Sequence, residues 1–162
     1  MDQNIWDYDD FIFKGDELKG MTQKGKDKVK LEAKTDLVIP ELTPDGLPLK
    51  KIADNAFYRR GLTSVVIPNT VESIGYDAFG VCKLKEVKLP EALVNIEGFA
   101  FYRNKLTKVE FGSKVKRLEP SSFAMNELTE ITFPETLEYI GASAFFKNSL
   151  ETVSFPKSVT KI

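Results

Sequence analysis

Histidine is missing from all 162 residues, and cysteine occurs once, at Cys82. Those two gaps exclude a histidine-based triad, a Cys/His dyad, a zinc site of the usual cysteine and histidine kinds, and an intramolecular disulfide. Neither sign of charge dominates. With 23 Lys plus Arg against 24 Asp plus Glu, the net charge is -1, which selects neither a nucleic-acid surface nor a disordered acidic tail. No run approaches ~18 apolar residues, so no bilayer span and no direct membrane insertion are expected. Met1 to Asp7 carries neither the basic nor the apolar region of a secretory signal. What remains is a chain of about one domain whose 42% hydrophobic content suffices for a core.

That content is periodic. Phe57, Phe79, Phe101, Phe123 and Phe145 stand 22 residues apart, each preceded by a small residue: Ala56, Ala78, Ala100, Ser122 or Ala144. Five positions after each Phe comes a leucine (Leu62, Leu84, Leu106, Leu128, Leu150), and three later Val65, Val87, Val109, Ile131 or Val153. Ile67, Leu89, Phe111, Phe133 and Phe155 follow, and four of them precede a proline, with Gly112 in its place in the third copy. A last column runs Ile52, Ile74, Ile96, Leu118, Ile140 and Ile162. A fixed period of this length marks a solenoid, because one coil alone cannot bury its apolar side and must cover its neighbours.

The frame L-x-x-V-x-(I/F)-P-x-x-(V/L)-x-x-I-G-x-x-A-F-x-x-(N/C) resembles the leucine-rich repeats of the BspA-like bacterial surface protein family over about residues 36 to 162. Ile74 to Phe79 and Ile140 to Phe145 match its Ile-Gly-x-x-Ala-Phe element in full, while Ala53, Glu97 and Glu119 replace the glycine elsewhere. The lead-in from Phe11 to Lys26 and Leu37 to Pro40 is similar to the segment that opens such arrays. The resemblance implies a bacterial cell-surface or secreted setting and a role in adhesion or host interaction.

The expected fold is a leucine-rich repeat solenoid, right-handed, with a parallel β-sheet on its inner face and a mostly irregular or 3-10 outer side. Six strands centred on Val38, Val66, Lys88, Glu110, Thr132 and Ser154 would stack over roughly 25 Å at the usual strand spacing. Residues 1–35 fall outside the frame. Phe11 to Met21, with Gly15 at its turn, reads as a β-hairpin that caps the first coil, leaving 36–162 as the array. Pro44 to Pro48 is a turn-rich insertion. Ile162 ends in mid-pattern, so the natural chain is expected to continue into more repeats or another domain.

Strand side chains alternate faces. Ser64, Val66, Glu86, Lys88, Lys108, Glu110, Glu130, Thr132, Thr152 and Ser154 are therefore expected to emerge together on the sheet face, where solenoids usually bind. Mixed charge there disfavours a polyanion, and no Trp or Tyr anchor is visible. Other features invite plainer readings. Cys82 shares a column with Arg60, Asn104, Asn126 and Asn148, where Asn or Cys bonds loop backbone inside the coil. Gly15 to Thr22 spaces its glycines like a phosphate loop, but Met21 replaces the lysine. Asp2, Asp7, Asp9 and Asp10 lack the closing Glu of a calcium loop. Lys24, Lys26, Lys28, Lys30 and Lys34 alternate as on a strand face that meets a polyanion or as on a solvated edge. Tyr58, Tyr102 and Phe146 form either an outer patch or filler between coils. No Asn begins a glycosylation sequon.

These readings point to a non-catalytic module that needs no cofactor and no metal. Its sheet face would meet a protein, extracellular-matrix or glycan partner and no nucleic acid. Two alternatives stand beside it: a structural spacer or assembly element of a larger surface protein, and a hydrolase using the paired carboxylates Glu110 and Glu130.

Overall fold

The computed structural model describes residues 5–162. Its core is the stack of repeated phenylalanines. Phe57, Phe79, Phe101 and Phe123 are fully buried, and successive rings from Phe57 to Phe145 lie 5.2–5.7 Å apart within 15° of parallel. The leucine column and the Ile52-to-Ile140 column close around this stack as one continuous core.

Three faces tie each rung to the next. The first is a seven-stranded sheet built on the isoleucine column. A hairpin of β1 (Phe11–Lys14) and β2 (Glu17–Met21) supplies its first two strands. Then come β4 (Lys51–Ile52), β6 (Ser73–Ile74), β8 (Asn95–Ile96), β10 (Arg117–Leu118) and β11 (Tyr139–Ile140), parallel and in register, with Ile52 beside Ile74 beside Ile96. The copies that lack glycine keep the same turn, since Ala53, Glu97 and Glu119 donate to the preceding rung as Gly75 and Gly141 do. Glycine is needed at 75 and 141 for space, because a Cβ there would sit 2.6 Å from the Asp54 backbone nitrogen or 2.5 Å from the Pro120 nitrogen.

The second face carries the valine column, and here the structure corrects the expectation of six stacked strands. β3 (Asp36–Val38) pairs with β5 (Ser64–Val66), and β7 (Glu86–Lys88) pairs with β9 (Lys108–Glu110), but no ladder joins the two pairs. The rungs through Thr132 and Ser154 run alongside as irregular chain. In these later rungs the position after the valine column holds Phe111, Phe133 and Phe155, whose rings lie 5.8–5.9 Å apart.

The third face holds the Ala-Phe turns. Backbone N–H groups alternate: Ala56, Tyr58 and Arg60 donate three residues back within the rung, whereas Asn55, Phe57 and Arg59 donate to Tyr76, Ala78 and Gly80 of the next. The pattern recurs in each described rung up to Met125, which donates to Phe146. It requires a left-handed residue twice per rung, at Asn55 and Arg59, Asp77 and Val81, Phe99 and Arg103, Ser121 and Met125, and Ser143 and Lys147. Left-handed backbone at a side-chain-bearing residue costs roughly 1–2 kcal/mol; the inter-rung hydrogen bonds offset it. These are turns rather than a 3-10 helix because every second donor leaves the rung.

Ahead of the array, Asp7 caps a short 3-10 turn (Tyr8–Asp10). Thr22 caps α1 (Gln23–Leu31), whose Gly25 lies where a Cβ would meet the Asp10 carbonyl at 2.3 Å. The insertion is a tight turn with Gly46 at φ +77°.

Candidate partner-binding face

The ten residues read from the repeat frame are all exposed, flanking buried Val65, Val87 and Val109 as an exposed-buried-exposed pattern requires. Register brings Glu86 opposite Lys108 and Lys88 opposite Glu110, so the charges alternate in sign across the strands. Lys108 also pairs along its own strand with Glu110. That hydrogen bond holds Glu110 below the ordinary carboxylate range and raises Lys108 above the ordinary lysine range. A lowered Glu110 is the reverse of what a general acid needs. Glu130, Thr132, Thr152 and Ser154 belong to the irregular rungs, not to strands.

Where the ladder lapses, grooves open. One of about 410 Å³ lies between Lys108–Phe111 and Glu130–Pro134, and one of about 200 Å³ between Ile131–Phe133 and Ser154–Pro156. At the other end, Asp36 and Val38 extend the face beside Ser64 and Val66. Val38 and Val66, neighbours in register, are 49% and 59% exposed. Beyond Val38 lies a cleft of about 530 Å³ lined by Ile5, Trp6, Tyr8, Lys34, Asp36 and Val38, among others. Trp6 is anchored by an indole N–H donated to the Asp36 carbonyl at 2.6 Å, and the Lys34 ammonium sits 5.5 Å from its ring centre. None of the ten face residues is aromatic, and the aromatic side chains stand beside them, in this cleft. Trp6 and Tyr8 lie outside the repeat, and only the fold brings them to the edge of β3; a lone Trp ahead of the array was the one signal in the sequence.

The other singled-out residues have structural partners. Asn104 donates to the Phe79 and Phe101 carbonyls at 2.9 and 3.1 Å and accepts from Leu84 N–H, and Asn126 and Asn148 repeat this one and two rungs on. Cys82 donates to the Phe57 carbonyl at 3.2 Å, and burial pushes its thiol up, away from reactive thiolate. Gly15 to Thr22 is hairpin and helix cap. Asp2 lies outside the described residues. Asp7 pairs with Lys24 and Asp10 with Lys28, and no metal-holding cluster occurs among the described residues.

The alternating lysines are not on a strand: α1 carries Lys24, Lys26, Lys28 and Lys30. Helical geometry sends Lys24 and Lys28 to the aspartates, while Lys26 and Lys30 reach another cleft. Lys34 is buried near Trp6 and Asp36. Tyr102 packs edge-on against Phe99, Arg59 lies over Tyr58, and Phe146 remains exposed beside Lys147.

Residues 50–162 match the BspA type leucine rich repeat region in six copies. The chain belongs to that family. The BspA-type fold is also that of a T. pallidum leucine-rich repeat protein, TpLRR, at 23% identity and a TM-score of 0.77 over 95% of this chain and 78% of that one. The pneumococcal vaccine antigen PcpA is similar at 19% identity and a TM-score of 0.66, over 91% of this chain and 47% of PcpA. No curated protein matches the chain by sequence.

Proposed function

We propose that this chain is a non-catalytic recognition module of a bacterial surface or secreted protein. It binds a protein or matrix partner, in adhesion or host interaction, through the valine-column face. The observation that carries the reading is the cleft of Trp6, Tyr8 and Val38 at the edge of that face. Trp and Tyr in a partly apolar cleft, with polar residues around it, have the make-up of an interface hot spot. The charged middle of the face, with Glu86, Lys88, Lys108 and Glu110 largely matched to one another, would set register more than affinity.

Surface plasmon resonance against a panel of matrix proteins and glycans tests this. For a partner that binds wild type, Tyr8→Ser with Val38→Thr is expected to weaken binding about tenfold or more, with the melting temperature unchanged. Equal binding by that variant discards the face. The spacer alternative predicts no saturable binding to any member of the panel.

A further inference from the structure

A second cleft, of about 490 Å³, lies where α1 meets the turns of the first two rungs. Its lining includes Lys26, Lys30, Arg59, Arg60 and Lys83 against one carboxylate, Asp27. Asp27 is already engaged by the Gln23 amide at 2.8 Å. A formal charge of +4 thus gathers in one hollow of a chain whose net charge is -1. Several lysines elsewhere meet carboxylates, among them Lys24 with Asp7, Lys28 with Asp10, Lys50 with Glu72, Lys105 with Glu127 and Lys116 with Glu138, while others such as Lys51 and Lys114 stand singly on the surface among the described residues. Among the described residues, none of the five cleft cations forms an ion pair. Burial raises the Asp77 carboxyl and the Arg59 charge partly opposes this through space, but the two do not reach ion-pair distance.

Arg60 adds an independent sign. It occupies the column in which Asn104, Asn126 and Asn148 satisfy the loop backbone. Its Nε is buried, yet it has no hydrogen-bond partner among the described residues. A buried donor without an acceptor is unfavourable, and an oxyanion entering the cleft supplies one. Two arginines lining one cleft suit a tetrahedral oxyanion, and Lys26 and Lys30, one helical turn apart, suit a second negative group.

We propose that this cleft is a binding site for a sulfated oligosaccharide. No aromatic side chain lines it, so it lacks the stacking platform that single-stranded nucleic acid uses. Val29 is its one apolar lining residue, which leaves no pocket for the side chains of a phosphopeptide. The site is separate from the Trp6 cleft and stands or falls independently of it.

Calorimetric titration of the whole chain with a sulfated, heparin-type hexasaccharide, and with its desulfated counterpart, tests the site. Saturable binding of the sulfated form alone is expected, weakening as salt rises. Reversing Lys26→Glu and Lys30→Glu together is expected to lower affinity at least about tenfold. The same charge change at exposed Lys51→Glu and Lys114→Glu should leave it within about twofold. Arg60→Gln reports on the half-buried guanidinium, and because Lys26 and Lys30 are helix-surface positions, their double variant serves if Arg60→Gln folds poorly. The Tyr8→Ser, Val38→Thr variant should bind the hexasaccharide as wild type does. Equal loss in the cleft and control variants, equal binding of the desulfated sugar, or tighter binding of a phosphoserine peptide or oligonucleotide would overturn the proposal.

Discussion

The array and the segment ahead of it are held by opposite strategies. In the array the main stabilising contacts form columns: phenylalanine on phenylalanine, asparagine beneath asparagine, isoleucine beside isoleucine. Ahead of it each contact occurs once. Asp10 is fully buried with Lys28 as its partner, Lys28 also donates to the Ile5 carbonyl at 2.9 Å, and the Trp6 indole donates to Asp36. Repetition spreads the effect of a lost contact between neighbouring rungs, whereas a singular buried ion pair concentrates it. The residues ahead of the array do not follow the repeat, so what fixes their arrangement is unique polar pairs rather than columns.

The largest expected effect lies in the column at the centre of the rod. Phe101→Ala removes a fully buried ring between Phe79 and Phe123 and should cost about 3–5 kcal/mol. It should also split the denaturant transition, since rungs on either side then couple weakly. A single transition at the wild-type midpoint would mean that the stack does not carry the array. Next comes the singular contact: Lys28→Ala leaves Asp10 buried and uncompensated, at about 3 kcal/mol. Hydrogen exchange should locate that loss in residues 8–31, while the amides of Phe101 and Phe123 stay protected. Uniform loss of protection would erase the contrast between the two regions.

The repeat was legible because its period is invariant: burial of the Phe, Leu, Val and Ile columns follows from their spacing in every rung but the last, where Val153, Phe155 and Ile162 are exposed, and the Phe11–Met21 hairpin follows from its glycine turn. Three things were not. The isoleucine column reads as a column but not as a strand, because two residues are too short for period-2 alternation to register; only stacking shows that they pair. Lys24 to Lys34 alternates as on a strand, yet Thr22 caps a helix there, and its 3.6-residue turn divides the lysines between Asp7 and Asp10 on one side and the Arg59–Arg60 cleft on the other. The ten candidate residues of the binding face do lie exposed on one another's rungs, but Trp6 and Tyr8 reach that face through a one-time contact that periodicity cannot encode.

A smaller effect is expected within a column of hydrogen bonds. Asn126→Ala leaves the Leu106 N–H without its buried acceptor, and the Phe101 carbonyl with the Asn104 amide alone, and should cost about 2 kcal/mol. Asn126→Cys, copying Cys82, should recover part of this, since a thiol can donate to the Phe101 carbonyl but accepts only weakly from Leu106. Equilibrium denaturation of the pair measures the difference, and equal loss in both variants would show that the column tolerates no substitute.

The smallest effect belongs to the exposed face, and its sign follows from the Lys108–Glu110 pair. Glu110 is lowered from 4.5 by its hydrogen bond to Lys108, so the pair's contribution is fully present above the unfolded carboxylate value and is lost as pH falls through the lower folded one. Lys108 is raised from 10.5 by the same bond, so on the alkaline side the contribution is complete below the unfolded lysine value and is lost as pH rises through the folded one. Both groups are solvent-exposed and screened, so the change in melting temperature should be slight and should shrink further in high salt. The sharper readout is an NMR titration of the Glu110 carboxyl. In wild type it should titrate below 4.5 and in Lys108→Met it should return toward that value, while the Phe101 amide stays equally protected in both proteins. A Glu110 titration that ignores residue 108 would detach this pair from the face and leave cross-strand Lys88 as the partner that sets its charge.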